Sequence, residues 1–202
     1  ADVAGRSEDA IAFAGQAYDS EPFSADVVEA YARMLGNAGR FDEAQKVIAK
    51  FETRSAGHPL IQAVKAAIGF KRKPGLFAED VQAGAGEMFH AVGLAFANEG
   101  SLDAGMVFLR LGQYLDPNAD VIALVIGNLY DQAEQPEAAN AIYSSIGTNS
   151  PFRSMAVVRA AGNFEALGDR PEAIRQLRNI VNANPGDIDA TETLGNLLRF
   201  DK

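Results

Sequence analysis

The sequence predicts an all-α chain, an open stack of antiparallel helix pairs in which each pair packs on the next. Three observations carry that prediction. Residues 86–119, 120–153 and 154–187 are successive blocks of 34 residues that superpose without a gap. Each block holds two apolar patterns at helical spacing with a turn between them, and closes on a proline two residues before its end: Pro117, Pro151 and Pro185. No strand pattern competes anywhere along the chain.

Helices are expected at 7–19, 25–37, 41–53, 59–71, 86–98, 102–114, 120–132, 136–146, 154–166, 170–183 and 188–200. The first, with Ala10, Ala14 and Ala17 ahead of Pro22, reads as the second helix of a pair whose first helix is missing. The next two form another 34-residue block, 25–58, with Val28, Tyr31-Ala32, Leu35 and Gly39, then Ala44, Ile48 and Phe51. Residues 59–85 number 27, seven short of a repeat. Leu60 to Ile68 supplies a first helix there, and Pro74 to Val81 leaves room only for a shortened helix or a single turn. A bend is expected at that point, with a hinge between two rigid halves as the alternative. In the regular blocks the stops are glycines, with Gly39, Gly100 and Gly168 each following a first helix. Pro136 and Pro171 open second helices, where a missing N–H costs nothing. Asp103, Asp120 and Glu172 sit in first turns, where the helix dipole favours negative charge. From 188 onward Thr191, Leu194-Gly195 and Leu198 start one more first helix.

Place by place the blocks also share a side-chain pattern. The first carries Phe89, Val92-Gly93, Phe96 and Gly100, then Gly105, Leu109 and Gly112. The second carries Ala123, Ile126-Gly127 and Tyr130, then Ala139, Tyr143 and Ile146. The third carries Val157, Ala160-Ala161, Phe164 and Gly168, then Ala173, Leu177 and Ile180. Small residues let two helices approach closely while large ones fill the gap. With the 34-residue period, this pattern resembles the tetratricopeptide repeat (TPR) over nearly the whole chain. The resemblance implies a right-handed α-solenoid, a single superhelix over 1–202: half a repeat in 1–24, a repeat in 25–58, an irregular shortened one in 59–85, three regular ones, and a truncated one in 188–202. The run Val81-Gln82-Ala83-Gly84-Ala85-Gly86-Glu87-Met88-Phe89 also resembles long bacterial TPR proteins, mostly alphaproteobacterial, some of them exported. Compartment stays open between periplasm and cytoplasm. Because the ends read as interior half-repeats, the chain is expected to be a fragment of a longer protein or to have its ends covered by a partner.

Composition sets outer limits on function. Net charge is −9, which argues against nucleic acid, and there are no cysteines, which removes disulfides and thiolate metal sites. No apolar run is long enough for membrane insertion, and no leader-like basic-then-apolar stretch opens the sequence. Charge is unevenly spread. Residues 40–73 carry a net +5 ending in Lys71-Arg72-Lys73, and residues 74–152 a net −9 with Arg110 as their only cation. A dipolar chain of this kind orients a charged partner.

Catalytic chemistry finds no foothold. His58 reads as a solvated loop residue, and His90 has no second His or Cys to share a metal with. Gly84-Ala85-Gly86 lacks the strand and the third glycine of a phosphate loop, and no serine has a His and an acid placed to activate it. No enzyme activity, cofactor or metal is therefore expected. Lys71-Arg72-Lys73 reads as a solvated helix end.

In the family that the chain resembles, first helices line a concave groove. Carried onto this sequence, that implies a groove whose central wall is His90, Leu94, Asn98, Val121, Leu124, Asn128, Asp131, Met155, Val158 and Glu165, with an apolar middle at Leu94, Val121, Leu124, Met155 and Val158. A carboxylate clamp of the kind some members use is not expected, since Glu29, His90, Leu124 and Val158 stand at the lysine places. The functional expectation is a protein-interaction scaffold that binds a peptide or helix of a partner protein in that groove. The alternative is a structural assembly factor, a homo-oligomer built through uncapped solenoid ends.

Overall fold

The computed structural model describes residues 5–78 and 80–199. Eleven helices account for all the regular structure among them: α1 (Ser7–Ser20), α2 (Ala25–Asn37), α3 (Phe41–Glu52), α4 (Pro59–Gly69), α5 (Val81–Asn98), α6 (Leu102–Leu115), α7 (Asp120–Gln132), α8 (Pro136–Ser145), α9 (Arg153–Ala166), α10 (Arg170–Ala183) and α11 (Ile188–Arg199). The chain divides into two compact units, Ala1–Gly84 and Ala85–Lys202. Each is a stack of antiparallel helix pairs.

In the first unit α2 packs on α1, α3 and α4, and α3 packs on α4. The contacts are made by side chains three and four apart, Val28, Ala32 and Leu35 on α2, Ala44, Ile48 and Phe51 on α3, and Ile61, Val64 and Ile68 on α4, all buried in one cluster. Each large aliphatic or aromatic member contributes about 1.5–3 kcal/mol relative to exposure. In the second unit every consecutive pair from α6 to α11 is packed, and α11 also touches α9. Helices α5 and α6 meet through glycines: a Cβ on Gly93 would stand 2.7 Å from Leu109 Cγ, and one on Gly105 would stand 2.9 Å from the Gly93 carbonyl oxygen. The small-against-large pairing expected from the sequence is therefore physical contact.

The turns share one geometry. Gly39, Gly100 and Gly168 are left-handed, with φ of 79°, 84° and 82°. After each, an amide donates back to a carbonyl five residues earlier: Arg40 to Leu35 (2.8 Å), Ser101 to Phe96 (2.9 Å) and Asp169 to Phe164 (2.7 Å). The block between the last two has no glycine at this place, yet Glu134 takes the same conformation (φ 55°), and Gln135 donates to Tyr130 at 2.9 Å. Turn geometry thus follows the 34-residue phase even where the residue disfavours it. Replacing Glu134 with glycine is expected to stabilise the protein by up to about 1 kcal/mol, because a side chain in the left-handed region is strained. The urea midpoint of the variant measures this, and an unchanged or lower midpoint would contradict it.

The irregular stretch departs from expectation at both ends. Helix α4 stops at Gly69 rather than 71, because Lys71 turns left-handed (φ 51°) and Arg72 donates to the Ala67 carbonyl at 2.9 Å. No shortened second helix follows among the described residues. Pro74 and Gly75 instead lie against α2, their carbonyls accepting from Arg33 Nη1 (2.9 Å) and Asn37 Nδ2 (2.6 Å), with Pro74 packed over Gly36. Helix α5 then begins at Val81, five residues earlier than expected, because Asp80 caps it by accepting from the Ala83 amide at 2.8 Å.

Candidate functional site

The expected wall residues of the second unit lie on α5, α7 and α9, and their surroundings differ from a bare apolar strip. Leu124 is 6% exposed and His90 is 3% exposed. Neither presents a surface to a ligand, which corrects the expectation for both. His90 lies at the glycine-lined crossing of α5 and α6, its backbone close to Gly112; its Nδ1 is 3.6 Å from Glu87 Oε2, and its Nε2 is buried without a partner. Leu94, Val121, Met155 and Val158 are half-buried, and Asn98 is exposed. Val121 leans on the cluster of Leu109, Ile122 and Ile126, and Val158 on that of Val157 and Leu177. Glu165 is exposed and accepts from Arg170 at 2.7 Å.

Asn128 and Asp131, expected as a ligand-binding amide and an acidic rim, belong to a polar cluster joining three helices. The single hydroxyl proton of Tyr143 on α8 has two acceptors within reach on α7, Asp131 Oδ2 and Asn128 Oδ1 (2.9 Å). From α9, Asn163 Nδ2 donates to the other Asp131 oxygen at 2.7 Å and to Asn140 Oδ1 at 3.0 Å. Burial pushes the Tyr143 hydroxyl pKa far above its ordinary value, and the hydrogen bond to the Asp131 carboxylate adds to the shift. Asn140 Nδ2 is buried with no partner, so one donor inside the cluster is unused.

Sequence reasoning missed Tyr143, Asn140 and Asn163 as members of this cluster. A signal existed for the tyrosine. It fills the large place of its repeat, where the phenolic O–H needs a buried acceptor, and Asn128 and Asp131 lie on the helix it packs against.

In the first unit the equivalent wall is occupied by its own chain. Glu29 is 5% exposed and ion-paired to Arg33, and Arg33 and Asn37 hold Pro74 and Gly75. His58, expected to be solvated, is half-buried edge-on against Phe51 with ring centroids 5.9 Å apart, and burial lowers its pKa against the pull of Asp26.

Among the described residues no group of three His, Cys, Asp or Glu is placed to hold a metal, and no helix is long and apolar enough to cross a membrane. No family model matches the chain, and no curated protein matches its sequence. Solved structures do resemble it. YrrB, described as a TPR protein with an unusual peptide-binding site, is 12% identical, with 89% of this chain and 96% of that one covered at a TM-score of 0.47. PilF of Pseudomonas aeruginosa is 15% identical over 95% and 90% of the two chains, TM-score 0.47. A thermophilic TPR protein of Thermus thermophilus is 16% identical over 96% and 91%, TM-score 0.45.

Proposed function

We propose that this chain, whose fold is of the tetratricopeptide type, is a protein-interaction scaffold that holds an extended peptide segment along the first helices of its second unit. The supporting observation is the cluster of Asn128, Asp131 and Asn163 across α7 and α9, the two helices that also carry the half-buried apolar Val121, Met155 and Val158. Asn128 Oδ1 lies 2.9 Å from the Tyr143 hydroxyl, which turns its side-chain NH2 away from the ring, where it can donate to a peptide carbonyl. Apolar side chains at Met155 and Val158 supply contact area for peptide side chains, and α7 and α9 are already tied together, so little ordering is lost on binding.

A random peptide library selected on the whole protein tests this. Peptides enriched on the wild type are expected to bind at least about tenfold more weakly to a Met155→Lys, Val158→Lys variant, a loss of about 1.4 kcal/mol. Unchanged helicity by circular dichroism separates that result from unfolding. Enriched peptides that bind the variant equally well would remove the wall from consideration.

A further inference from the structure

The turn that follows α4 in the first unit carries a chemistry that the first-helix wall does not use. It is fixed at both ends. Lys71 is left-handed, and Lys71 and Arg72 donate back to the Ile68 and Ala67 carbonyls; a few residues on, Pro74 packs over Gly36, and Arg33 and Asn37 hold the Pro74 and Gly75 carbonyls. On this fixed backbone Phe70 is 74% exposed and Leu76 is 44% exposed, and Lys71, Arg72 and Lys73 between them are all exposed. At that exposure the Phe70 ring finds no apolar cover in the fold, and Arg72 lies over it at 5.2 Å.

The charge at the turn is equally unmet. Elsewhere in this unit Arg33, Arg40 and Lys65 are matched by Glu29, Glu43 and Glu52. None of Lys71, Arg72 and Lys73 has an ion-pair partner among the described residues. Three consecutive unneutralised cations therefore stand between two exposed apolar side chains, and a counterpart that satisfies both must offer negative charge and an apolar phase side by side.

We propose that this turn is a peripheral anchor for an anionic membrane surface, with Lys71, Arg72 and Lys73 among the lipid headgroups and the Phe70 and Leu76 side chains at the boundary between headgroups and acyl chains. Cations near an anionic leaflet and apolar side chains at its interface each add to binding. A dissolved polyanion or an acidic protein segment would answer the charge and leave both apolar side chains in water, which selects the bilayer. The net charge of −9 does not oppose this, because at about 0.15 M salt the Debye length is about 8 Å and only the charges nearest the surface are felt. Attachment of this kind rests a turn on the surface and requires no spanning helix. It does not depend on the peptide-binding reading above.

The chain contains no tryptophan, so Phe70→Trp in the whole protein supplies a single fluorescent reporter at the turn. With vesicles of phosphatidylcholine and phosphatidylserine in equal parts, its emission should move to the blue and be quenched by brominated acyl chains. Vesicles of phosphatidylcholine alone should leave it in place, and about 1 M salt, where charges are screened within a few ångströms, should reverse the shift. In sedimentation with the mixed vesicles, replacing Lys71, Arg72 and Lys73 with glutamine should weaken binding about fivefold for each cation removed. Phe70→Ser should weaken it at least about tenfold. All four positions are exposed, so circular dichroism should show unchanged helicity in every variant. An emission that does not move with the mixed vesicles overturns the proposal. So does vesicle binding that Phe70→Ser leaves intact, or a blue shift as large with polyglutamate or duplex DNA as with vesicles, either of which would give the turn to a soluble polyanion.

Discussion

Gly127→Ala is expected to lower the unfolding free energy by about 1–3 kcal/mol, although alanine is the better helix former. A Cβ at this place would stand 2.3 Å from Tyr143 Cε1 and 2.8 Å from two further ring atoms. The ring cannot swing clear, because Tyr143 is 1% exposed and its hydroxyl is held by Asn128 and Asp131. Either α7 and α8 must separate or the polar cluster must break. Gly162→Ala is the matched control, since Gly162 sits within α9, is exposed, and a Cβ there meets nothing within 4 Å. The same chemical change there should stabilise by about 0.5–1 kcal/mol through the backbone entropy that glycine loses on folding. Urea unfolding of both variants reads the two signs, and a Gly127→Ala midpoint at or above wild type would refute the interlock between α7 and α8.

Tyr143→Phe is expected to destabilise by about 1–3 kcal/mol while leaving the packing of the ring intact, because it removes a donor from a partly buried carboxylate. The pH dependence identifies the cause. In the folded protein the hydroxyl pKa is raised above its reference value of 10.0, so the neutral phenol is favoured. That contribution is complete below about pH 10 and is lost as the pH rises through the unfolded-state value and beyond. The stability difference between wild type and variant should therefore be level from neutral pH to about 9 and narrow above it. A difference that stays constant into the alkaline range would assign the loss to packing instead.

The architecture was legible because it rests on repetition. A 34-residue phase, a glycine or alanine facing a large side chain and a proline at each close are all written in single residues, and the helix ends agree with them to within a residue or two from α6 to α11. The seven-residue shortfall in 59–85 was equally plain, but not its consequence. That consequence depends on Arg33 and Asn37, which reach carbonyls 41 and 38 residues further on, and on Asp80 capping a helix earlier than the phase implies. The wall was only partly readable. Helical spacing places Leu124 and His90 on it, but how far neighbouring helices overlap decides exposure, and at both places the overlap covers the side chain. Asn128 and Asp131 were found as polar wall residues, but their partners lie on α8 and α9.

The recurrence of one turn at residues 100, 134 and 168 has a consequence for descent. Gly93 precedes Leu109, and Gly127 precedes Tyr143, by the same interval, so removing Ser101 through Glu134 would join Gly100 to Gln135 and bring the Tyr143 ring over the Gly93 hollow. The ring would fit the place, but Asn128 and Asp131 would leave with the module and Leu94 and Ala97 would stand in their places, so the Tyr143 hydroxyl would lose its acceptors. A gene of this design keeps turn and helix spacing when a module slips in or out, and the private polar cluster of α7, α8 and α9 is what makes that module costly to lose.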